Sequence, residues 1–187
     1  MYPNGFENRT QISVEHLSNV LCGSRREGHF NGVCIIVAKL FNLVQPDYAI
    51  FGQKDLQQLT IIRHMTSDLC MPITIIGVDT RREQSGLAMS SRNGYLSDQQ
   101  KLLAANIYAT LKQIKQAIER SHYNYSELSS KASAALNELG FCTDYLEIRR
   151  TSDLQLAEDG QRDAELAIFI AAYLDNTRLI DNMIISL

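Results

Sequence analysis

Residues 48–78 read YAIFGQKDLQQLTIIRHMTSDLCMPITIIGV, and their pattern decides the fold of the first part of the chain. Residues 48–51 are short, apolar and followed by Gly52, which is typical of a buried strand. Apolar residues then recur at helical spacing over 55–67, and 72–78 again have the character of a buried strand. A strand, a helix and a second strand at this spacing predict a parallel pair of strands joined by a crossover helix.

A polar loop follows each predicted strand. The first loop contains Lys54, and the second leads to residues 86–94, which read GLAMSSRNG. Because the carboxyl ends of parallel strands meet at one edge of an open sheet, we expect Lys54 and Arg92 to lie at one site. Two cations together with the hydroxyls of Ser90 and Ser91 suit a phosphate group. The alternative interpretation is a serine-rich turn with a solvated arginine.

The sequence before the first strand predicts two helices. Residues 11–14 have an extended pattern and lead into a short helix over 15–21, which a polar loop over 23–30 follows. An apolar helix then ends before Pro46. Its apolar positions recur at helical spacing: Val33, Ile36, Val37, Leu40, Phe41 and Val44.

The sequence after residue 94 has a different organisation. Ser97 and Gln100 form a capping-box pattern for a helix over 98–120, and Ser126 is a candidate cap for a second helix that ends at Gly140. Three stretches then have strand character: 143–149, 165–174 and 178–185. The last two are close enough to form a hairpin. Helices followed by antiparallel strands predict a separate α+β unit, so we predict two domains, 1–94 and 95–187.

The predicted parallel sheet is too small to be complete. Two strands cannot bury both faces of a sheet or stand alone. We therefore expect either that a partner chain supplies further strands or that the N-terminal portion of a larger domain is missing from this sequence.

Composition argues against several classes of function. Lys and Arg number 18 against 21 Asp and Glu, a net charge of −3, so we expect no nucleic-acid partner. We expect no membrane partner either, because no apolar run approaches membrane-spanning length, and the start of the chain does not resemble a signal peptide. This favours a cytoplasmic protein. The cysteines and histidines are dispersed, which predicts reduced, mostly buried thiols and no structural zinc site.

Five ordered blocks of the sequence closely resemble the pantothenate synthetase family, also called pantoate–beta-alanine ligases. The blocks are YPNG (2–5), GHFNGV (28–33), KLFNLVQPD (39–47), FGQKDLQQL (51–59) and GLAMSSRN (86–93). The similarity continues to RLIDN (178–182), so it covers essentially the whole chain.

The resemblance implies a fold and an activity. The fold is a Rossmann-like nucleotidyltransferase sheet, incomplete here, followed by a small α+β domain with antiparallel strands. The activity is the ATP-dependent joining of pantoate to beta-alanine through a pantoyl-adenylate, with Mg²⁺, which yields pantothenate for coenzyme A synthesis, AMP and pyrophosphate. Family members are cytoplasmic and usually homodimeric.

The resemblance also implies roles for individual residues. Lys54 is similar to a lysine that contacts the ATP phosphates, and Gln58 to a glutamine that binds pantoate. Ser90, Ser91 and Arg92 match a phosphate-binding string, and with Lys54 they are the expected catalytic residues. Further nucleotide contacts are expected at four positions: Gly52, Asp55, Met89 and the backbone at Arg81. No residue is expected to bind a metal directly.

Several positions keep a simple structural alternative. Lys54 is also consistent with a surface lysine, Asp55 with a helix cap and His29 with a structural histidine. The pair Arg81 and Arg82 is either solvated or in contact with nucleotide.

The polar loop over 23–30 departs from the family pattern at one position. Arg26 matches a family arginine near the site. Glu27 stands where the family usually has proline, which leaves the stiffness of this loop open.

The family's His-x-Gly-His motif, which binds ATP phosphates, matches none of the four histidines. One hypothesis is therefore that the chain is the C-terminal portion of a pantothenate synthetase and is inactive alone. The alternative is a non-catalytic fragment that binds nucleotide or dimerises. A weaker one is another adenylyl-transferring enzyme on the same fold.

Overall fold

A computed structural model describes residues 10–185 of the chain, and the YPNG block lies outside them. The helices and strands follow one another in this order: α1 (Cys22–Arg25), α2 (His29–Val44), β1 (Tyr48–Gly52), α3 (Leu56–Asp68), β2 (Thr74–Val78), α4 (Asp98–Ala104), α5 (Asn106–Glu119), α6 (Tyr125–Glu138), β3 (Phe141–Arg150), β4 (Leu166–Leu174) and β5 (Thr177–Ile185). None of the helices within 10–185 is both long and apolar enough to cross a membrane.

The parallel pair predicted from residues 48–78 is confirmed. β1 and β2 pair in parallel from Tyr48 opposite Thr74 to Gly52 opposite Val78, and α3 is the crossover helix. One face of the pair packs on α2 and α3. On the other face, four apolar side chains are 38–67% exposed: Tyr48, Ile50, Ile76 and Val78. Within the described residues, this small sheet therefore buries only one of its faces.

The predicted α+β unit is also confirmed. β3, β4 and β5 form an antiparallel sheet in that order, with β4 and β5 joined as a hairpin. The capping box at the start of α4 is present, since Gln100 N–H donates to the Ser97 hydroxyl and the Gln100 side chain accepts from Ser97 N–H. Gly140 follows the end of α6 at a φ of 93°, a conformation that favours glycine.

The single helix predicted over 98–120 is wrong in one respect, because it is interrupted at Ala105 between α4 and α5. The Asn106 side chain donates a hydrogen bond to the Leu103 carbonyl at 2.8 Å. Asparagine side chains that bond nearby backbone compete with helical hydrogen bonds, which accounts for the break.

The predicted cap of the following helix is also wrong. Asn124, rather than Ser126, accepts a hydrogen bond from the backbone of Glu127 at 3.0 Å. Ser126 lies inside the first turn and donates to Asp159 at 2.8 Å. Both residue types suit a cap, and the position of the first turn decides between them.

The strand-like pattern at 11–14 and the helix predicted over 15–21 are not formed. The chain there makes a 3₁₀ turn, Leu17–Asn19, and then the short α1. Gln57 of α3 explains the difference: its side-chain amide donates to the carbonyls of Leu17 and Val20 at 2.8 and 2.7 Å. The Leu17 carbonyl is thus bonded by a distant side chain, and the Val20 carbonyl accepts both from Gln57 and from the backbone N–H of Gly23 at 2.8 Å.

The expectation for the cysteines holds in part. All four thiols are free, as expected. Only Cys34 is fully buried, whereas Cys22 is partly buried and both Cys70 and Cys142 are exposed. The prediction of mostly buried thiols is therefore wrong.

Strand β4 is the common layer between two hydrophobic cores. Leu166, Ile168 and Ile170 face a core built with α5 and α6. Ala167 and Phe169 face the other core, which contains α2 and α3. Because successive strand residues point to opposite faces, β4 is buried on both sides. It therefore joins the first unit, which contains α2, α3 and the β1–β2 pair, to the second, antiparallel α+β unit. The domain boundary at residues 94 and 95 stays a prediction.

We expect Phe169→Ala to destabilise the chain by about 3–5 kcal/mol, because it removes a buried aromatic ring from the core between the two units. Tyr173→Ala is the matched control, since Tyr173 lies on the same face of β4 but is 39% exposed. It should cost about 1 kcal/mol or less. Urea unfolding followed by circular dichroism measures both. Equal losses would contradict the joining role of Phe169.

Candidate functional site

The loop after β2 is a small, rigid hairpin. Arg82 and Ala88 form an antiparallel bridge, and Met89 N–H donates to the Arg81 carbonyl at 2.9 Å. Gly86 at the turn has a φ of 93°, and a Cβ there would lie 2.6 Å from the ring of Tyr108. Only glycine fits this position without displacing the ring.

The hairpin fixes the serine–arginine string that follows it. Ser90 caps a 3₁₀ turn, Ser91–Tyr95, by accepting from Arg92 N–H at 3.2 Å. The buried Asn93 donates its side-chain amide to the Glu83 carboxylate at 2.8 Å and to the Ala88 carbonyl at 3.1 Å. The backbone of the string is therefore held in place, whereas the side chain of Arg92 is exposed.

The loop after β1 carries Lys54 in a 3₁₀ turn, Gln53–Asp55, that leads into α3. The Asn182 side-chain amide donates to the carbonyls of Gln53 and Lys54 at 2.9 and 2.8 Å. Asp55 occupies the N-cap position of α3 but makes no side-chain capping hydrogen bond. No hydrogen bond therefore supports the interpretation of Asp55 as a helix cap.

Two adjoining recesses lie where these loops meet. Lys54, Arg92 and Arg178 line both of them. Ser90 adds to the first recess, and Asp55 and Gln58 add to the second. Within the described residues, no carboxylate pairs with Lys54 or Arg92 within 4.0 Å. Their charges are free to bind an anion, and the roles assigned to them stay predictions.

Four of the expected nucleotide-contacting residues do not line these recesses: Gly52, Arg81, Met89 and Ser91. Met89 is 57% exposed, and its backbone pairs with that of Arg81 at the base of the hairpin. Gly52 and Ser91 are exposed as well. In the part of the chain that the structure describes, these residues lie outside the two recesses, so no contact shared with Lys54 supports their roles.

Arg82 links the hairpin to β5 through its side chain. Its guanidinium donates to both carboxylate oxygens of Asp181, at 2.5 and 3.0 Å, and lies 3.8 Å from the ring centroid of Tyr108. The solvated interpretation of Arg82 is therefore wrong, because its side chain is 17% exposed and its charge is paired with Asp181, whereas the nucleotide contact stays a prediction. Arg81 remains exposed.

Arg178 is a third cation of the site, and the sequence analysis assigned it no role. It donates to Asp144 at 2.8 and 3.1 Å and to the Cys22 sulfur at 3.4 Å. Although burial lowers the pKa of Arg178, hydrogen bonds with Cys22 and Asp144 raise it above its usual value. The sequence feature that could have pointed to Arg178 is its position in the family-like block 178–182, but that block does not indicate which residues Arg178 contacts.

The Cys22 sulfur is also 3.1 Å from the hydroxyl of Tyr145, which lines the second recess. Burial raises the pKa of Tyr145, so the phenol stays neutral near pH 7. The phenol and the thiol come from different units of the chain, and the contact therefore depends on the way the units pack.

The polar loop supplies Arg26 and His29 to the second recess, while Glu27 is exposed and does not line it. Arg26 lies 3.0 Å from the ring nitrogen of His29. Burial lowers the pKa of His29, Arg26 and Arg92 lower it further, and Asp55 opposes them. His29 is therefore neutral near pH 7.

Within residues 10–185, no group of three or more His, Cys, Asp and Glu side chains is arranged to hold a metal ion. Oxygen-rich ligands such as carboxylates are the ones Mg²⁺ prefers in proteins. The recesses hold two carboxylates, those of Asp55 and of Asp181, and Asp181 is already paired with Arg82. Cations, hydroxyls and amides make up most of the rest of the polar lining, a donor set that suits an anion.

The electrostatics of His29 predict the direction of two pKa changes. Arg26→Ala should raise the pKa of His29 by removing a nearby cation, and Asp55→Asn should lower it by removing a carboxylate. Arg162→Ala is the control, because Arg162 packs on Tyr123 in the second unit. NMR titration of the imidazole protons measures all three variants.

The same shift has a consequence for stability. Because the folded pKa lies below the unfolded value, the contribution of His29 is present above about pH 6.5 and is lost as the pH falls through the folded pKa. A titration of His29 at or above its ordinary pKa would contradict the geometry of the loop.

The comparisons with known sequences agree on one family. A model described as pantoate-beta-alanine ligase matches residues 1–184. A pantothenate synthetase from Shewanella halifaxensis is 49% identical over 187 residues, which are all of this chain and 65% of that protein. One from Pseudomonas fluorescens is 51% identical over 183 residues, or 98% of this chain and 63% of the relative. The chain thus spans just under two thirds of the length of these relatives.

Solved structures give the same result. Pantothenate synthetase from Thermus thermophilus superposes with a TM-score of 0.88 at 39% identity, covering 98% of this chain and 65% of that one. The pantoate-beta-alanine ligase of Francisella tularensis, complexed with beta-gamma ATP and beta-alanine, has a TM-score of 0.72 at 32% identity, covering 97% and 60%. The chain belongs to the pantoate-beta-alanine ligase family.

Proposed function

We propose that this chain forms part of an enzyme that joins pantoate to beta-alanine at the expense of ATP, a step of coenzyme A synthesis. The observation that carries the proposal is the position of Lys54 and Arg92: they line shared recesses with Ser90 and Gln58, and no described carboxylate neutralises them. Family membership supplies the substrates, and a relative complexed with beta-gamma ATP and beta-alanine supports them.

In the proposed reaction, the pantoate carboxylate attacks the α-phosphorus of ATP. A new P–O bond forms the pantoyl-adenylate, and the bond to pyrophosphate breaks. The amine of beta-alanine then attacks the acyl carbon, AMP leaves, and the amine loses a proton as the amide forms. Negative charge therefore grows first on the departing pyrophosphate.

The residues of the recesses fit this change in charge. Lys54 and Arg92 would offset the charge on pyrophosphate, and Ser90 would donate a hydrogen bond to its oxygens, as would Ser91, which lies next to the recesses in the same string. Because both loops are fixed before the ligand binds, they need little rearrangement during the reaction. Gln58 lies one helical turn from Lys54 and would hold pantoate in the second recess.

The nucleoside would lie towards the base of the hairpin. Gly52, Asp55, Met89 and the backbone of Arg81 are the residues proposed to contact it. Mg²⁺ would enter with ATP, with phosphate oxygens and water as its main ligands, as is usual for this ion. Its chemistry there would be to neutralise phosphate charge.

We propose further that the 187-residue chain binds ATP but does not complete the reaction alone. The partly exposed face of the β1–β2 sheet and the span of just under two thirds of its relatives support this. The longer protein is proposed to be a cytoplasmic homodimer. Pantothenate formation by the purified chain, measured by mass spectrometry, would overturn the proposal of an inactive fragment.

Lys54→Ala and Arg92→Ala should each weaken ATP binding to the chain about tenfold or more, since each removes one unpaired cation from the recesses. Lys131→Ala is the control, because Lys131 is 74% exposed on α6 and pairs with Glu127. Isothermal titration calorimetry with ATP measures the affinities. Unchanged affinity in both site variants would reject the proposed phosphate site.

In a full-length relative, the variant equivalent to Lys54→Ala should lower pantoate-dependent ATP–pyrophosphate exchange by about 10²–10³. An unchanged rate of ATP–pyrophosphate exchange would show that Lys54 has no catalytic role, even if the affinity for ATP falls.

A further inference from the structure

Two consecutive residues of β5 contact the two loops that carry the cations. Asp181 and Asn182 are 4% and 6% exposed, so both are buried. Successive side chains of a strand point to opposite faces, which lets neighbouring residues reach different parts of the molecule. Here one residue contacts the hairpin after β2, and the other contacts the turn after β1.

Asp181 holds the hairpin. Its carboxylate accepts two hydrogen bonds from Arg82, at 2.5 and 3.0 Å, and a third from the backbone of Asn182 at 2.9 Å. Breaking a buried ion pair is strongly destabilising because it leaves an uncompensated buried charge. The position of the hairpin relative to β5 is therefore narrowly defined.

Asn182 holds the other loop. Its side-chain amide donates to the carbonyls of Gln53 and Lys54, at 2.9 and 2.8 Å, and so fixes the backbone from which the Lys54 side chain extends. Both donors of this amide are used, and both acceptors belong to the turn Gln53–Asp55. Loss of the amide would leave two carbonyls without this partner.

We propose that Asp181 and Asn182 are positioning residues that set the distance between Lys54 and the string Ser90–Arg92. The contacts form one continuous connection, from Lys54 through Asn182 and Asp181 to Arg82 of the hairpin. The ligand named in the test, ATP, rests on the proposed function; the connection itself rests on the contacts alone. A polyphosphate that spans both loops binds well only when their spacing is correct.

The first test follows the backbone of the two loops. Asn182→Ala should speed amide hydrogen exchange roughly tenfold in peptides that cover 53–58 and, through Asp181, in those that cover 81–94. Asn176→Ala makes the same chemical change at the exposed hairpin tip of β5 and is the control. Mass spectrometry measures exchange without any ligand.

The second test uses ATP itself. Asn182→Ala should weaken ATP binding about tenfold, whereas Asn176→Ala should not change it. Asp181→Asn should also weaken ATP binding, because it loosens the hairpin. It also leaves the Arg82 guanidinium without its counter-charge and can unfold the chain, so Asn182→Ala carries the test and circular dichroism checks that both variants fold.

A third variant separates positioning from simple space-filling. Asn182→Asp has the same size but donates a hydrogen bond only when its carboxyl is protonated. Burial at this position and the neighbouring Asp181 carboxylate would raise the pKa of the new carboxyl above its ordinary value of about 3.9. Its ATP affinity relative to the original chain should therefore improve as the pH falls from about 8 to about 5.5, and that of Asn182→Ala should not. A side chain that only filled space would show no such difference.

The outcomes distinguish the two proposals. If the original chain does not bind ATP, the proposal that it binds ATP by itself fails, and the exchange experiment still decides the connection. The positioning role would be overturned if Asn182→Ala speeds exchange in peptides covering 53–58 but not in those covering 81–94. It would also be overturned if Asn182→Ala and Asn176→Ala exchange equally fast. Unchanged ATP affinity in a folded Asn182→Ala variant would overturn it as well.

Discussion

The burial of β4 on both faces is the constraint on which the rest of the structure depends. Its alternate residues pack into two different cores, so neither core is complete without the strand. Removing apolar surface from water on both sides is the main stabilising contribution to such a layer. The parallel β1–β2 pair and the antiparallel sheet therefore keep a fixed relation to each other, although their strands are not paired.

This relation determines where β5 lies. β5 pairs with β4 along its whole length, and its polar residues reach the loops of the first unit. Arg178 enters the recesses, Asp181 binds the hairpin and Asn182 binds the turn that carries Lys54. A strand of the second unit thus supplies both a cation and the supports of the site.

Pairing divides the cations of the two loops and of β5 into two groups. Arg82 and Arg178 each donate to a buried or partly buried carboxylate, and their side chains are therefore held in place. Lys54 and Arg92 have no carboxylate partner among the described residues. Fixed, neutralised cations support the architecture, and free cations can exchange water for an anion with little reorganisation. This division agrees with the phosphate site that we propose.

The sequence alone determined the features that depend on near neighbours. Alternating and helical patterns identified the parallel pair, the capping box at Ser97 and the antiparallel hairpin, because these follow from local spacing and backbone preference. The break at Ala105 and the cap at Asn124 were missed, since one hydrogen bond decides each of them. The five family-like blocks led to the correct family.

Only the tertiary structure decided which groups pair across the chain. Arg82 and Asp181 are 99 residues apart, and Lys54 and Asn182 are 128 apart. No local pattern records such a pair, because the contact exists only after β4 has packed between the two cores. The sequence of each loop determines which charged and polar groups it carries, whereas the packing of the fold determines the distance between the loops.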